Sequence, residues 1–99
     1  MECKYSTRAE RDLIEIGEYI AERSPGNAEK YINDLTAYCR KVALNPKIRK
    51  VTAYIRGRPL RKALFKSHRI YYALLANDEG IEVIHIRHGA RREPDFDVG

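Results

Sequence analysis

A chain of 99 residues that is 43% hydrophobic and 33% charged can enclose one hydrophobic core, so residues 1–99 are expected to fold as a single domain. Two cysteines, Cys3 and Cys39, are too few for a disulfide framework and lack the spacing of metal ligands; they are expected to be small buried fillers, and no cofactor is implied. No apolar run approaches the ~20 residues of a membrane helix, and Met1-Glu2-Cys3-Lys4-Tyr5 carries no apolar leader core, so a soluble cytoplasmic protein with no membrane partner is expected.

Lys4-Tyr5-Ser6 closes a short opening segment that can pair as a strand. Ser6 or Thr7 then offers a helix N-cap, and Thr7 with Glu10 three residues on has the spacing of a capping box. Ala9, Leu13, Ile16 and Ile20 form one apolar stripe at helical spacing. Ser24-Pro25-Gly26 ends this helix, because proline disfavours the helical conformation in the residue before it. A second stripe, Ala28, Tyr31, Ile32, Leu35, Tyr38, Cys39 and Val42, runs to a similar stop at Asn45-Pro46. Two helices joined so tightly fold back as an antiparallel hairpin, and their stripes need a flat partner to cover them.

Residues 46–60, with Pro46, Gly57 and Pro59 and no clean period, are expected to be mostly loop. The period then becomes that of strands. Residues 62–66 alternate weakly, while 69–75 and 81–87 are β-branched and aromatic runs. Asn77-Asp78-Glu79-Gly80 reads as a four-residue hairpin turn with Gly80 at positive φ, and Ser67-His68 as a tighter turn. The expected fold is α+β: an N-terminal strand, an antiparallel helical hairpin, then a three-stranded antiparallel β-meander packed against the helices.

Charge is unevenly spread. Residues 1–34 are close to balance, but from Leu35 to Asn77 there is no acid among Arg40, Lys41, Lys47, Arg49, Lys50, Arg56, Arg58, Arg61, Lys62, Lys66 and Arg69. Such a block creates a positive field that attracts nucleic acid or an acidic protein segment.

The element order, with Tyr5-Ser6, Ala9, Asp12-Leu13, Ile16, Tyr19-Ile20, Ala28, Tyr31-Ile32, Leu44-Asn45-Pro46, Arg61, Ser67-His68-Arg69-Ile70-Tyr71-Tyr72, Gly80-Ile81 and His88-Gly89-Ala90-Arg91-Arg92, resembles the RelE/ParE superfamily of toxins over essentially the whole chain. The resemblance implies the toxin of a type II toxin–antitoxin system. It also implies a cognate antitoxin, whose acidic amphipathic C-terminal segment folds onto the toxin in a hetero-oligomeric complex.

Two activities divide the superfamily. ParE-like members inhibit DNA gyrase, and RelE-like members cleave mRNA on the ribosome. A metal-free ribonuclease needs an acid–base pair beside its phosphate-holding cations. Here Lys62, Lys66, Arg69 and Arg91 are available to hold phosphate, with His88 or His85 as acid–base. His85, inside an apolar strand, is expected to be a packed and hydrogen-bonded residue, and His68 to make a hydrogen bond within its turn. His88, followed by Gly89-Ala90-Arg91-Arg92, matches the ParE-like context and is expected to bind or to support structure. The favoured reading is therefore a gyrase-binding ParE-like toxin that catalyses nothing itself. Its target surface is expected to comprise Arg58, Arg61, Lys62, Arg69, Arg87, His88, Arg91 and Arg92, with Glu93-Pro94-Asp95-Phe96-Asp97 as an extended tail.

Overall fold

A computed structural model describes residues 1–89, from the opening strand to the end of the last one. Strand β1 (Glu2–Tyr5) leads into helix α1 (Thr7–Arg23), a short 3-10 turn at Pro25–Asn27, and helix α2 (Ala28–Leu44). Four strands follow: β2 (Val51–Ile55), β3 (Arg58–Phe65), β4 (His68–Leu74) and β5 (Gly80–His88). They form one sheet in the order β1-β5-β4-β3-β2, with β1 parallel to β5 and every other pair antiparallel. The α+β architecture and the helical hairpin are as expected. The meander has four strands where three were expected.

The extra strand comes from the stretch expected to be loop. Gly57 and Pro59 mark a two-residue hairpin turn, in which Arg56 (φ 50) and Gly57 (φ 79) both take the left-handed conformation. That matches the right-handed twist of the flanking strands. Pro59 lies inside β3 opposite Tyr54, but β4 begins to pair only at Arg61, so no ladder bond on that side needs its missing N–H.

Helix α1 is capped by Ser6, not by Thr7. The Ser6 hydroxyl accepts a bond from the Ala9 N–H (3.0 Å) and donates to the Ile84 carbonyl (2.7 Å), so one side chain starts the helix and ties it to the sheet. The capping box between Thr7 and Glu10 therefore does not form. Two further turns follow positive φ: Lys66 (φ 50) carries the β3–β4 turn, which leaves His68 as the first residue of β4. Asn77, Asp78 and Gly80 carry the β4–β5 turn.

The helices cover one face of the sheet. Ala9 from α1 and Leu35, Cys39, Val42 and Ala43 from α2 meet Ala63, Ile70, Tyr72, Ile81, Val83 and Ile86 in the main core. Their burial supplies the main hydrophobic driving force. Tyr72, inside this core, donates its hydroxyl to the Pro46 carbonyl (2.6 Å), fixing the chain where α2 ends. On the opposite face Leu60, Ala73 and Ile84, flanked by Ala53 and Ile55, form a smaller cluster. Among the described residues no helix is long and apolar enough to cross a membrane.

Candidate functional site

A bulge in β5 shapes the site. Tyr71 pairs with His85 but Tyr72 pairs with Val83, so Ile84 is an additional residue on β5. Strand β1 pairs with β5 only as far as Val83, and past that point α1 runs along the edge of β5. The Asp12 carboxylate takes the place of a neighbouring strand there. One oxygen accepts both the Ile86 N–H (2.9 Å) and His85 Nδ1 (2.6 Å), and the other faces the Arg8 guanidinium at 3.5 Å.

Asp12 is 7% exposed and His85 5%. Burial pushes the Asp12 carboxyl up. The His85 and Ile86 hydrogen bonds and the charge of Arg8 outweigh it and hold the group below its usual value of 3.8. Arg8 also approaches His85 Nε2 (3.4 Å). A guanidinium has only donors, so the arrangement assigns the ring proton to Nδ1, where it faces Asp12. His85 is thus the packed, hydrogen-bonded residue expected, and its ring stacks on Tyr71 with centroids 6.4 Å apart.

Beside this pair the helices part from the sheet and leave a groove of about 1100 Å³. Ile16, Ile20, Tyr31 and Ile86 give it apolar walls; Arg8, Arg11, Lys30, Lys66 and Arg87 line it with cations, and Asp12, Glu15 and Asp34 with acids. His68 and His88, cross-strand partners at the end of β4 and β5, stand at one end with rings 5.5 Å apart. His68 Nδ1 is 2.7 Å from the Tyr31 hydroxyl, a bond to α2 and not the turn bond expected. Burial first, then the charge of His88, holds His68 below 6.5. Burial holds the Tyr31 phenol up, so its proton is retained for that bond.

The second surface is the helix-free face of the sheet. Side chains alternate along a strand, so Arg58, Leu60, Lys62 and Leu64 of β3 share one face. Across the register they meet Arg69, Tyr71 and Ala73 of β4, which in turn face Arg87, His85 and Glu82 of β5. The 2.9 Å ion pair between Arg58 and Glu82 and the cluster of Leu60 with Ala73 and Ile84 follow from this placement.

Of the cations expected to form a target surface, the fold gathers Arg58, Lys62 and Arg69 on this face, and Arg87, beside Arg69 in the register, lines the groove as well. Arg69 is nearly buried and reaches the His88 carbonyl at 3.4 Å. Arg61 points the other way: it donates to the Lys47 carbonyl (3.3 Å) and to the Arg49 carbonyl, pinning the segment after α2. Lys66 and His88 belong to the groove. Arg91 and Arg92, like the tail 93–97, lie outside the described residues.

Asp12, Arg8 and Tyr31 were not expected to belong to a site. Asp12 had one legible signal: it falls on the buried stripe of α1, between Ala9 and Leu13, where a carboxylate requires a partner. Among the described residues no group of three or more His, Cys, Asp or Glu is placed to hold a metal ion.

The sequence model of one family, described as the ParE toxin of the type II toxin–antitoxin system parDE, matches residues 3–93. No curated protein matches the chain. The match spans both helices, all but the first residue of the sheet and both surfaces, and the chain belongs to the ParE toxin family of type II toxin–antitoxin systems.

Proposed function

We propose that the chain is a toxin that inhibits DNA gyrase by binding it, acts in the cytoplasm, and is neutralised by a cognate antitoxin in a hetero-oligomeric complex. The observation that carries the target half is the helix-free sheet face, where Arg58 and Lys62 stand beside the exposed Leu64 over a floor of buried Leu60 and Tyr71 and nearly buried Arg69. A rigid, cationic, partly apolar plane suits a large acidic partner such as a gyrase–DNA complex. The distribution of the nuclease candidates also favours binding over catalysis. Lys62 and Arg69 stand on the helix-free face, whereas Lys66 and His88 line the groove on the helix side. His85 is held by Asp12 and Arg8.

The groove suits the antitoxin. Its apolar walls and rim of Arg8, Arg11, Lys30 and Lys66 complement an acidic amphipathic segment that orders on binding. The test is a supercoiling assay with purified toxin at micromolar concentration, with and without the product of the adjacent gene. Gyrase should be inhibited, with accumulation of cleaved DNA, and released when that product is added. Undisturbed supercoiling together with codon-phased mRNA cuts after induction would replace this reading with the ribonuclease one.

A further inference from the structure

The helices cover the main core, yet side chains on the opposite face of the sheet are enclosed as well. Leu60 is 0% exposed, Tyr71 1% and Ala73 2%, with Ile84 and the cation Arg69 at 9% each. Among the described residues no helix or strand lies over them. An antiparallel sheet with one face bare leaves that face in water, so burial to this depth calls for a cover.

Charge states what the cover must carry. Alternation and register set Arg58, Lys62 and Arg69 on this face, and Glu82 beside them is taken by Arg58 at 2.9 Å. An enclosed guanidinium is stable only among carboxylates or carbonyl oxygens. Arg69 has the His88 carbonyl at 3.4 Å, and neither it nor Lys62 is free. A segment that joins carboxylates to an apolar side chain suits such a face.

The chain supplies one within reach. Gly89 donates its N–H to the Ser67 carbonyl (2.6 Å), and a Cβ there would stand 3.2 Å from that oxygen. The chain thus leaves β5 pressed against the β3–β4 turn, at the end of the sheet where Leu64, Arg69 and Arg87 stand in register. Beyond it, Glu93-Pro94-Asp95-Phe96-Asp97-Val98 alternates acidic with apolar residues. Extended, it sets the carboxylates on one side and Phe96 on the other. Residues 90–97 span about 26 Å in that form, against about 17 Å along β4 from His68 to Ala73.

We propose that residues 93–98 fold back over the helix-free face as its cover. Phe96 rests on the floor of Leu60, Tyr71 and Ile84, and the carboxylates pair with Lys62 and Arg69. The groove is the poorer host, because its cations are already mixed with Asp12, Glu15 and Asp34. On the reading that this face meets gyrase, the target displaces the cover, and its apparent affinity falls with the fraction of uncovered molecules.

The experiment records nuclear Overhauser spectra of the full-length protein at low ionic strength. Cross-peaks should join the Phe96 ring to methyl groups of Leu60 and Ile84, and none should run between labelled and unlabelled chains in a mixed sample. Asp95→Asn with Asp97→Asn should weaken them and leave the fold intact, since neither residue belongs to the described core. Phe96 at random-coil shifts would overturn the proposal. So would contacts found only between molecules, which would make the face an interface between copies. A supercoiling assay separates the cover from the target assignment. Phe96→Ala should inhibit gyrase at a concentration about tenfold lower if the cover is closed in about 90% of molecules. Intramolecular contacts with unchanged inhibition would keep the cover and remove gyrase from this face. Weaker inhibition by Phe96→Ala would overturn the cover and make the segment part of the target surface.

Discussion

Asp12 does work that no local feature of α1 requires. It satisfies the edge of β5 beyond the end of β1 and orients His85, and its partners are more than seventy residues away in the chain. Removing the side chain leaves the Ile86 N–H and His85 Nδ1 without their acceptor, so Asp12→Ala should cost about 3 kcal/mol of stability in urea unfolding. Asp12→Asn keeps an acceptor oxygen for both donors but turns an amide toward Arg8 and loses the charge, so about 1 kcal/mol is expected. The pH dependence has a definite sign. A carboxyl held below 3.8 in the folded state stabilises above its unfolded value, and that contribution disappears as pH falls through the folded one. The stability gap between wild type and Asp12→Asn should therefore be full at neutral pH and close below about pH 4. His68 follows the same rule. Its folded value lies below 6.5, so the stability of the neutral, Tyr31-bonded ring is lost as pH falls through that value. Proton NMR should place the His68 midpoint below 6.5, and His88→Gln should raise it by removing the neighbouring charge.

At the scale of elements, the helices and the last two strands were legible because each carries its own period and its own stop. Pro25 and Pro46 follow the two helices, and Gly80 closes the final turn. The β2–β3 hairpin was not legible, because its turn uses Arg56 in a conformation that sequence rules expect of Gly, Asn or Asp. Pro59 then reads as a break unless it is known that β4 stops short of it. The two positive-φ glycines separate strain from crowding. At Gly57 an added Cβ meets nothing within 4 Å, so Gly57→Ala should cost only the left-handed penalty, about 1 kcal/mol. At Gly80, with φ +129, the Cβ would stand 1.9 Å from the Glu2 carbonyl oxygen. Gly80→Ala must therefore push β1 off β5 in addition to straining the turn, for a loss of about 3 kcal/mol or more. Urea midpoints for the two variants, with amide exchange across Glu2–Tyr5, check the difference. Equal losses, with β1 protected in both, would show that the contact at Gly80 is relieved without moving the strand.

For the whole molecule, the sheet divides the cations into two sets that a linear charge block cannot distinguish. The acid-free run from Leu35 to Asn77 signals a positive field, but only strand alternation and register send Arg58, Lys62 and Arg69 to one side and Arg61 to the other. Arg8, Arg11 and Lys30, which line the groove, come from the nearly neutral helical third, where bulk charge gave no reason to seek a site. The proposed target and antitoxin surfaces thus lie largely on opposite faces of one layer, with Arg87 bordering both, and the contributions of the residues away from that border should be separable by mutation. Arg58→Glu with Lys62→Glu should weaken gyrase inhibition about tenfold, if each reversed surface charge contributes about 0.7 kcal/mol. Antitoxin affinity should be unchanged by that pair. Arg11→Glu with Lys30→Glu should reduce antitoxin affinity by a similar factor and spare gyrase inhibition. Both defects should shrink as salt rises, because exposed charges are screened within about 10 Å at 0.1 M ionic strength. Binding titrations and supercoiling assays on the four combinations decide the matter. If either double variant impaired both partners equally, the two surfaces would be one, and neutralisation would be direct competition for the same cations instead of capture from the other side of the sheet.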